Sequence, residues 1–165
     1  MTQPADHDAV QAASAEKPAF ENEAAQIVSF KVGDEHYGID IHLVREIRAW
    51  QAATQLPNTP QFLRGVINLR GTIVPVVDLR ARFGQGMTAA GSAHVVIVVT
   101  VGIRIVGILV DSVSDIVTLS QGDIKALPSM QDSAAGDCLD GLVTVNEQMI
   151  ALISVERVTS SGLTH

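Results

Sequence analysis

The chain has 165 residues, of which 47% are hydrophobic and 18% are charged, with a formal net charge of −7. This composition predicts a folded chain of one domain or two very small ones. The acidic balance counts against nucleic acid and anionic membranes as partners, because both are bound through clusters of lysine and arginine.

The single cysteine, Cys138, excludes an internal disulfide and favours a reducing, cytoplasmic setting. We interpret it as a small buried side chain, because no arrangement of histidine or asparagine supports a nucleophile. The sequence contains no apolar run of the roughly 18 residues needed to span a bilayer. Its start also lacks the pattern of a signal peptide.

The predicted elements begin after a tail. Residues 1–25 are rich in Ala, Glu, Asp, Gln and Pro without apolar periodicity, and are predicted to be disordered. IVSFKV and YGIDI are β-rich runs around the loop GDEH and predict a hairpin. HLVREI is too short for a stable free helix and is predicted to be one turn that leads into a strand.

A second hairpin is predicted from FLRGVINL and TIVPVV, with its turn at Arg70-Gly71. Pro75 lacks a backbone donor, which places its strand at a sheet edge or next to a bulge. Asp78 is expected to cap a short helix, LRARF, that ends at Gly84.

The stretch 84–92, GQGMTAAGS, is predicted to be a flexible linker, and 128–138 an exposed loop. Between them, AHVVIVVTV and RIVGILV are almost wholly apolar, so both faces of these strands should be buried. The final hairpin turns near Asn146-Glu147, and VERVT forms a short helical turn.

The most informative feature is that the first half of the chain recurs in the second. Residues 30–47 (FKVGDEHYGIDIHLVREI) match residues 99–116 (VTVGIRIVGILVDSVSDI), and 65–79 match 141–155 in their apolar positions. Anchors repeated in the same order indicate two copies of one small unit. Each copy supplies about five short strands, which predicts two small β-barrels packed side by side.

These boundaries give a single domain at 26–158 and a C-terminal tail at 159–165. Within the domain, the first barrel is expected at roughly 26–85 and the second at roughly 93–158, joined by the linker 84–92. An exchange of strands between the barrels stays open at this point.

No motif for chemistry is present. The five histidines lack metal-ligand spacing, and the sequence contains no HExxH, nucleophile elbow, G-x-G-x-x-G or Walker A motif. We therefore predict no catalytic residues, no metal and no cofactor, so binding is the remaining function. A single-stranded nucleic acid binder is one alternative for small barrels, but the acidic balance and 4% aromatic residues oppose it.

Arg70 is the leading candidate for binding, because the second copy has Asn146 at the same hairpin tip. It is either a solvated turn residue or a guanidinium positioned for a partner's carbonyl or carboxylate groups. Glu46 is hypothesised to pair with it and orient it. One of Val44 and Ile47, on either side of Glu46, could face outward as an apolar contact; Trp50 is either core or an interface anchor.

The stretches GDEHYGIDIHLVREI, LPNTPQFLRGVINLRGTIVPVVDLRARF and IVGILVDSVSDIV closely resemble the chemotaxis coupling proteins of the CheW-like domain family. The resemblance covers about residues 26–157. It implies a mainly β fold of two packed five-stranded SH3-like barrels with short helical segments. It also implies a non-enzymatic, cytoplasmic adaptor that links transmembrane chemoreceptors to a CheA-type histidine kinase in arrays at the inner face of the membrane.

By the same resemblance, seven residues match the family's partner-binding region: Val44, Glu46, Ile47, Arg48, Asn68, Arg70 and Gly71. The implied partners are the kinase's regulatory domain and the receptor's cytoplasmic hairpin tip, with no nucleic acid and no membrane insertion. The alternative is a scaffold of the same family in a pathway that controls surface motility or a second messenger.

Overall fold

The computed structural model describes residues 24–125 and 138–160. Residues 1–23, 126–137 and 161–165, which hold most of the predicted tails and of the predicted loop at 128–138, lie outside this part. The strands are β1 (Ala24–Val32), β2 (Glu35–Asp40), β3 (Val44–Ala49), β4 (Leu63–Leu69), β5 (Thr72–Asp78), β6 (Val95–Val101), β7 (Arg104–Val110), β8 (Ser112–Ser120), β9 (Leu139–Val145) and β10 (Gln148–Ile153). The short helices are α1 (Leu79–Arg82), α2 (Val155–Ser160) and 3₁₀ turns at Ile41–Leu43 and Gln121–Asp123.

The ten strands form two five-stranded sheets, which confirms the mainly β prediction. Sheet A has the order β8-β1-β2-β10-β9, and sheet B has the order β3-β6-β7-β5-β4. Most neighbours are antiparallel, and each sheet has one parallel ladder, β2 with β10 and β5 with β7. Moving every strand to its counterpart in the other copy converts one sheet order into the other, so the repeat is a pseudo-symmetry of the fold.

Sheet membership does not follow the halves of the chain. Sheet A takes β1 and β2 from the first copy and three strands from the second, and sheet B has the reverse composition. The chain crosses between sheets at the turn Ile41–Leu43 and again at Asp111, between β7 and β8. The expected boundaries 26–85 and 93–158 therefore separate the sequence copies, while strand exchange completes both sheets.

A backbone bridge joins the two edges of each sheet. Beyond β3, Thr54 pairs with Val66 of β4, and beyond β8, Lys125 pairs with Leu142 of β9. Each bridge connects the continuation of one edge strand to the opposite edge, which closes the sheet toward a barrel and covers backbone groups that would otherwise be unpaired.

A repeated glycine makes room for each bridge. A Cβ at Gly65 would lie 2.3 Å from the carbonyl oxygen of Thr54, and one at Gly141 would lie 3.0 Å from that of Lys125. Gly65 also has a φ of 138°, which L-residues rarely adopt. Closure of both barrels thus depends on the same sequence position.

The core has three parts that follow the alternation of the strands. In β6, Val96 and Val98 face the interior of sheet B, while Ile97 and Val99 join the central core between the two sheets. A separate cluster around Ile27 fills sheet A. The prediction that this apolar strand buries both faces is confirmed.

Pro75 lies inside sheet B, so the edge alternative is wrong. It pairs with Val66 on one side, and the parallel ladder to β7 starts only at the next residue, Val76. The second alternative was that Pro75 lies next to a bulge. The register of β4 and β5 shifts between Leu63 and Gly65, which is an irregularity of this kind.

The expected flexibility of the linker 84–92 is contradicted at its centre. Thr88 is buried, and both its backbone N–H and its hydroxyl donate to the carboxylate of Asp78, at 2.8 and 2.7 Å. Arg64 donates to the carbonyl of Thr88 at 2.7 Å and to Asp78 at 3.2 Å. Asp78 also caps α1 by accepting from the Ala81 N–H, as predicted.

Candidate functional site at a charged corner of sheet B

The hairpin between β4 and β5 has a two-residue turn with both residues in the left-handed region. The φ angle is 51° at Arg70 and 89° at Gly71, as in the type I′ turns that match strand twist. The side-chain oxygen of Asn68 accepts a hydrogen bond from the Gly71 N–H at 2.9 Å. The predicted turn is confirmed, and Asn68 fixes its geometry.

Glu46 is brought to this turn by the edge strand β3. It lies opposite Val98, whose side chain faces the interior of sheet B, so Glu46 projects toward the open end of the barrel. Its carboxylate accepts from both terminal nitrogens of Arg70, through Oε2 and, at 3.5 Å, through Oε1. Arg48 donates to Oε1 at 3.3 Å. The hypothesised pairing of Glu46 with Arg70 is confirmed.

The contact between Glu46 and Arg70 stabilises the charged form of both side chains. The hydrogen bond from Arg70 is the main reason that the pKa of Glu46 is lowered, with Arg48 adding to the effect. The same hydrogen bond raises the pKa of Arg70. Both side chains therefore remain ionised at neutral pH, and the bidentate contact orients the exposed guanidinium of Arg70.

The two aliphatic residues beside Glu46 have different environments. Val44 is half-buried and packs against the central core. Ile47 is 43% exposed on the same edge strand. The outward-facing member of the pair is thus Ile47, which lies on the face of β3 opposite to that of Glu46 and Arg48.

Together, Arg45, Glu46, Arg48 and Arg70 form what we call the arginine corner. Arg45, Glu46 and Arg70 line a cavity of about 170 Å³, with Thr72 at its polar edge. The apolar walls come from Leu69, Val74, Val98 and Ile105. Three of these belong to the core of sheet B and Ile105 packs against it, so the cavity is an opening onto that core.

Sequence reasoning missed two residues at this end of the barrel. Arg45 lines the cavity. The only signal for it in the sequence was its position next to Glu46. Ile73 is paired with Asn68 across the hairpin and is 60% exposed. Its only signal in the sequence was an isoleucine two residues after the turn, and this pattern is equally typical of a buried strand.

Trp50 lies outside the arginine corner. It is half-buried against the core of sheet B, and the Arg64 guanidinium stacks over its ring with 5.3 Å to the centroid. It also lines a separate groove of about 620 Å³ with Leu56 and Met87. Trp50 thus belongs partly to the core, and its role as an interface anchor stays a prediction.

Within residues 24–125 and 138–160, no group of three or more His, Cys, Asp or Glu residues could hold a metal ion. In the same part of the chain, no helix is long and apolar enough to cross a membrane.

The fold defines a class: a small β-protein of two pseudo-symmetric barrels, here with a cluster of paired charged side chains at one corner. The chain belongs to the CheW-like domain family, whose model matches residues 26–162. Members of this family are non-enzymatic scaffold or adaptor proteins of chemotaxis.

Individual relatives agree with this assignment. The chain is 42% identical to the chemotaxis protein CheW of Klebsiella aerogenes, over 90% of each chain. It is 39% identical to that of Rhizobium meliloti, over 85% of this chain and 90% of the relative. The crystal structure of the scaffolding protein TtCheW from Thermoanaerobacter tengcongensis is similar with a TM-score of 0.77 at 30% identity, covering 85% of this chain and 95% of that one.

Proposed function

We propose that this protein couples transmembrane chemoreceptors to a CheA-type histidine kinase, in the cytoplasm beneath receptor arrays. The observation that carries the proposal is the Arg70 guanidinium, fixed by Glu46 on one side and by a turn locked through Asn68 on the other. A guanidinium held in place before binding loses little conformational freedom when a partner docks. Ile47, which is exposed on the opposite face of β3, supplies a separate apolar contact.

The partner-binding surface in this proposal consists of seven residues: Val44, Glu46, Ile47, Arg48, Asn68, Arg70 and Gly71. Arg70 and Ile47 contact the partner, while Glu46, Arg48, Asn68 and Gly71 position them, and Val44 anchors β3 to the core. The partners are the kinase's regulatory domain and the receptor's cytoplasmic hairpin tip.

Coupling requires more than simultaneous binding. An adaptor that bound both signalling states of its partners equally would transmit nothing, so this surface must contribute a different free energy in each state. Individual contacts can be weak, because repeated sites in an array raise the effective concentration.

The test is a reconstitution of the protein with its cognate kinase and receptor cytoplasmic fragments, measuring receptor-dependent kinase activity. Arg70→Asn is the informative variant, because Asn is the residue at the equivalent tip of the second copy and tolerates the left-handed backbone. We expect Arg70→Asn to reduce coupling at least tenfold, and the reciprocal Asn146→Arg to retain it. Full coupling by Arg70→Asn would contradict the proposed surface, and no binding of kinase or receptor by the wild type would contradict the function.

A further inference from the structure

We infer that the hairpin tip between β6 and β7 extends the partner-binding surface, and that Ile103 at this tip inserts into an apolar recess of the kinase's regulatory domain. The inference rests on the proposed function, because it adds a contact residue and assigns this end of the molecule to one of the two proposed partners. Ile103 was not among the candidate binding residues predicted from the sequence.

The tip that carries Ile103 lies next to the turn that carries Arg70. Strands β5 and β7 are parallel, and Val76 of β5 pairs with Gly107 of β7. Continued to the beginning of both strands, this register places Thr72 level with Ile103. Neighbouring strands are about 5 Å apart, so the two hairpin tips stand side by side at one end of sheet B.

The turn itself does not require an isoleucine. Gly102 and its equivalent Gly33 both open a two-residue turn with a φ of 63°. The residue after Gly33 is Asp34, so the same turn accepts a polar side chain. Ile103 is 100% exposed, more than any other large hydrophobic residue in the described part of the chain. Its side chain therefore buries nothing in the free protein and removes apolar surface from water only when a partner covers it.

The end of sheet B around Ile103 combines apolar and positively charged side chains. Single exposed isoleucines are ordinary on protein surfaces, but Ile73 on the neighbouring strand is also 60% exposed. Arg45 and Arg70 are exposed at this end, and Arg104 directly follows Ile103. The complementary surface of a partner is therefore an apolar recess that is bordered by carboxylate groups.

Shape assigns this end of sheet B to the kinase rather than to the receptor. A fully exposed side chain at a hairpin tip is a projection, and close packing requires a recess that receives it. The receptor end in the proposed function is itself a helical hairpin tip, and two projecting tips bury little surface against each other. A folded regulatory domain can present a recess.

The test is a titration of the kinase's regulatory domain with the full chain at low and at high salt. Ile103→Asn is the informative variant, because asparagine is a typical turn residue and the site is exposed, so the free energy of unfolding should not change. We expect kinase binding to weaken about tenfold at both salt concentrations, since the lost contact is apolar. The loss caused by Arg70→Asn should instead shrink as salt is added. Ile103→Leu should retain binding.

The matched control is Asp34→Asn, at the equivalent turn position of the sheet A barrel, and it should leave kinase binding unchanged. An equal loss in Asp34→Asn, kinase binding by Ile103→Asn as strong as that of the wild type, or a loss that affects only the binding of the receptor fragment would each overturn the inference.

The same titrations separate the two proposals. If Ile103→Asn binds the kinase as the wild type does while Arg70→Asn does not, the added contact is wrong and the adaptor function stands. If the wild type binds neither the kinase nor the receptor fragment, both proposals are wrong.

Discussion

The two hairpin tips of this molecule have the same backbone and different chemistry. Arg70 and Asn146 occupy equivalent positions with φ angles of 51° and 53°. Asparagine is among the residues that adopt this conformation most readily, whereas arginine gains nothing from it. The turn therefore does not require an arginine, so Arg70 is explained by its side chain, which pairs with Glu46.

The carboxylates behind the two tips differ in the same way. Glu46 accepts from two arginines, while the carboxylate of Asp115 accepts from the N–H of its own neighbour, Ile116, at 2.8 Å. The first carboxylate orients the guanidinium of Arg70, and the second accepts a hydrogen bond from its own strand. The two copies therefore share their strand order and turn conformation, while the side chains at the two hairpin tips differ.

The largest expected difference between the copies concerns the residues that cap the two short helices. Asp78 is completely buried and binds Arg64 and Thr88, whereas the hydroxyl of its counterpart Ser154 accepts from the Arg157 N–H at 3.3 Å. Asp78→Asn leaves Arg64 without its counter-charge and should lower the free energy of unfolding by about 3–5 kcal/mol. Ser154→Ala should cost about 1 kcal/mol. Urea unfolding measures both, and equal losses would contradict this asymmetry.

The second largest difference in stability is expected at the glycines that make room for the two closing bridges. Gly65→Ala combines an unfavourable φ with a backbone oxygen 2.3 Å from the new Cβ, and should cost roughly 3 kcal/mol. At Gly141 the nearest atom is 3.0 Å away, so Gly141→Ala should cost about 1 kcal/mol. Thermal or urea unfolding of the two variants gives the comparison. A larger loss at Gly141 would mean that the second barrel is the more tightly closed.

Charge reversal tests whether Glu46 acts through Arg70. Either Glu46→Arg or Arg70→Glu alone should weaken kinase binding about tenfold, which corresponds to about 1.4 kcal/mol. The double reversal restores the ion pair and should recover part of this loss, but not all, because the guanidinium then projects from β3. A pull-down titration gives the affinities. If the double reversal recovers nothing relative to the single variants, orientation by pairing is refuted.

The smallest effect is a pH dependence. Because Arg70 lowers the folded-state pKa of Glu46, the stabilisation from their pairing is complete above the unfolded pKa and is lost as the pH falls through the lowered value. NMR titration of the Glu46 carboxyl carbon should give a midpoint below the ordinary value of about 4.3. In Arg70→Asn the midpoint should rise, and an unchanged midpoint would mean that another group lowers it.

Most of the local structure could be predicted from the sequence. Alternation along β6, the turn at Arg70-Gly71 and the Asp78 cap are all determined by neighbours in the chain, so their patterns are visible in a short window. The tertiary environment overrode two local expectations. Pro75 lies inside a sheet because the ladder to β7 begins after it, and the Gly-rich linker is fixed because Asp78 is buried beneath Thr88.

The two-copy framework, the family and the candidate pair of Glu46 and Arg70 could all be predicted from the residue pattern. The tertiary structure was needed to establish which strands share a sheet, since a hairpin pattern carries no information about the partner of its outer edge. It also decided that Arg45 lines a cavity and that Ile47 rather than Val44 is exposed, because both depend on how β3 meets the hairpin across the closing barrel. Contacts between residues distant in the chain lie outside any short pattern.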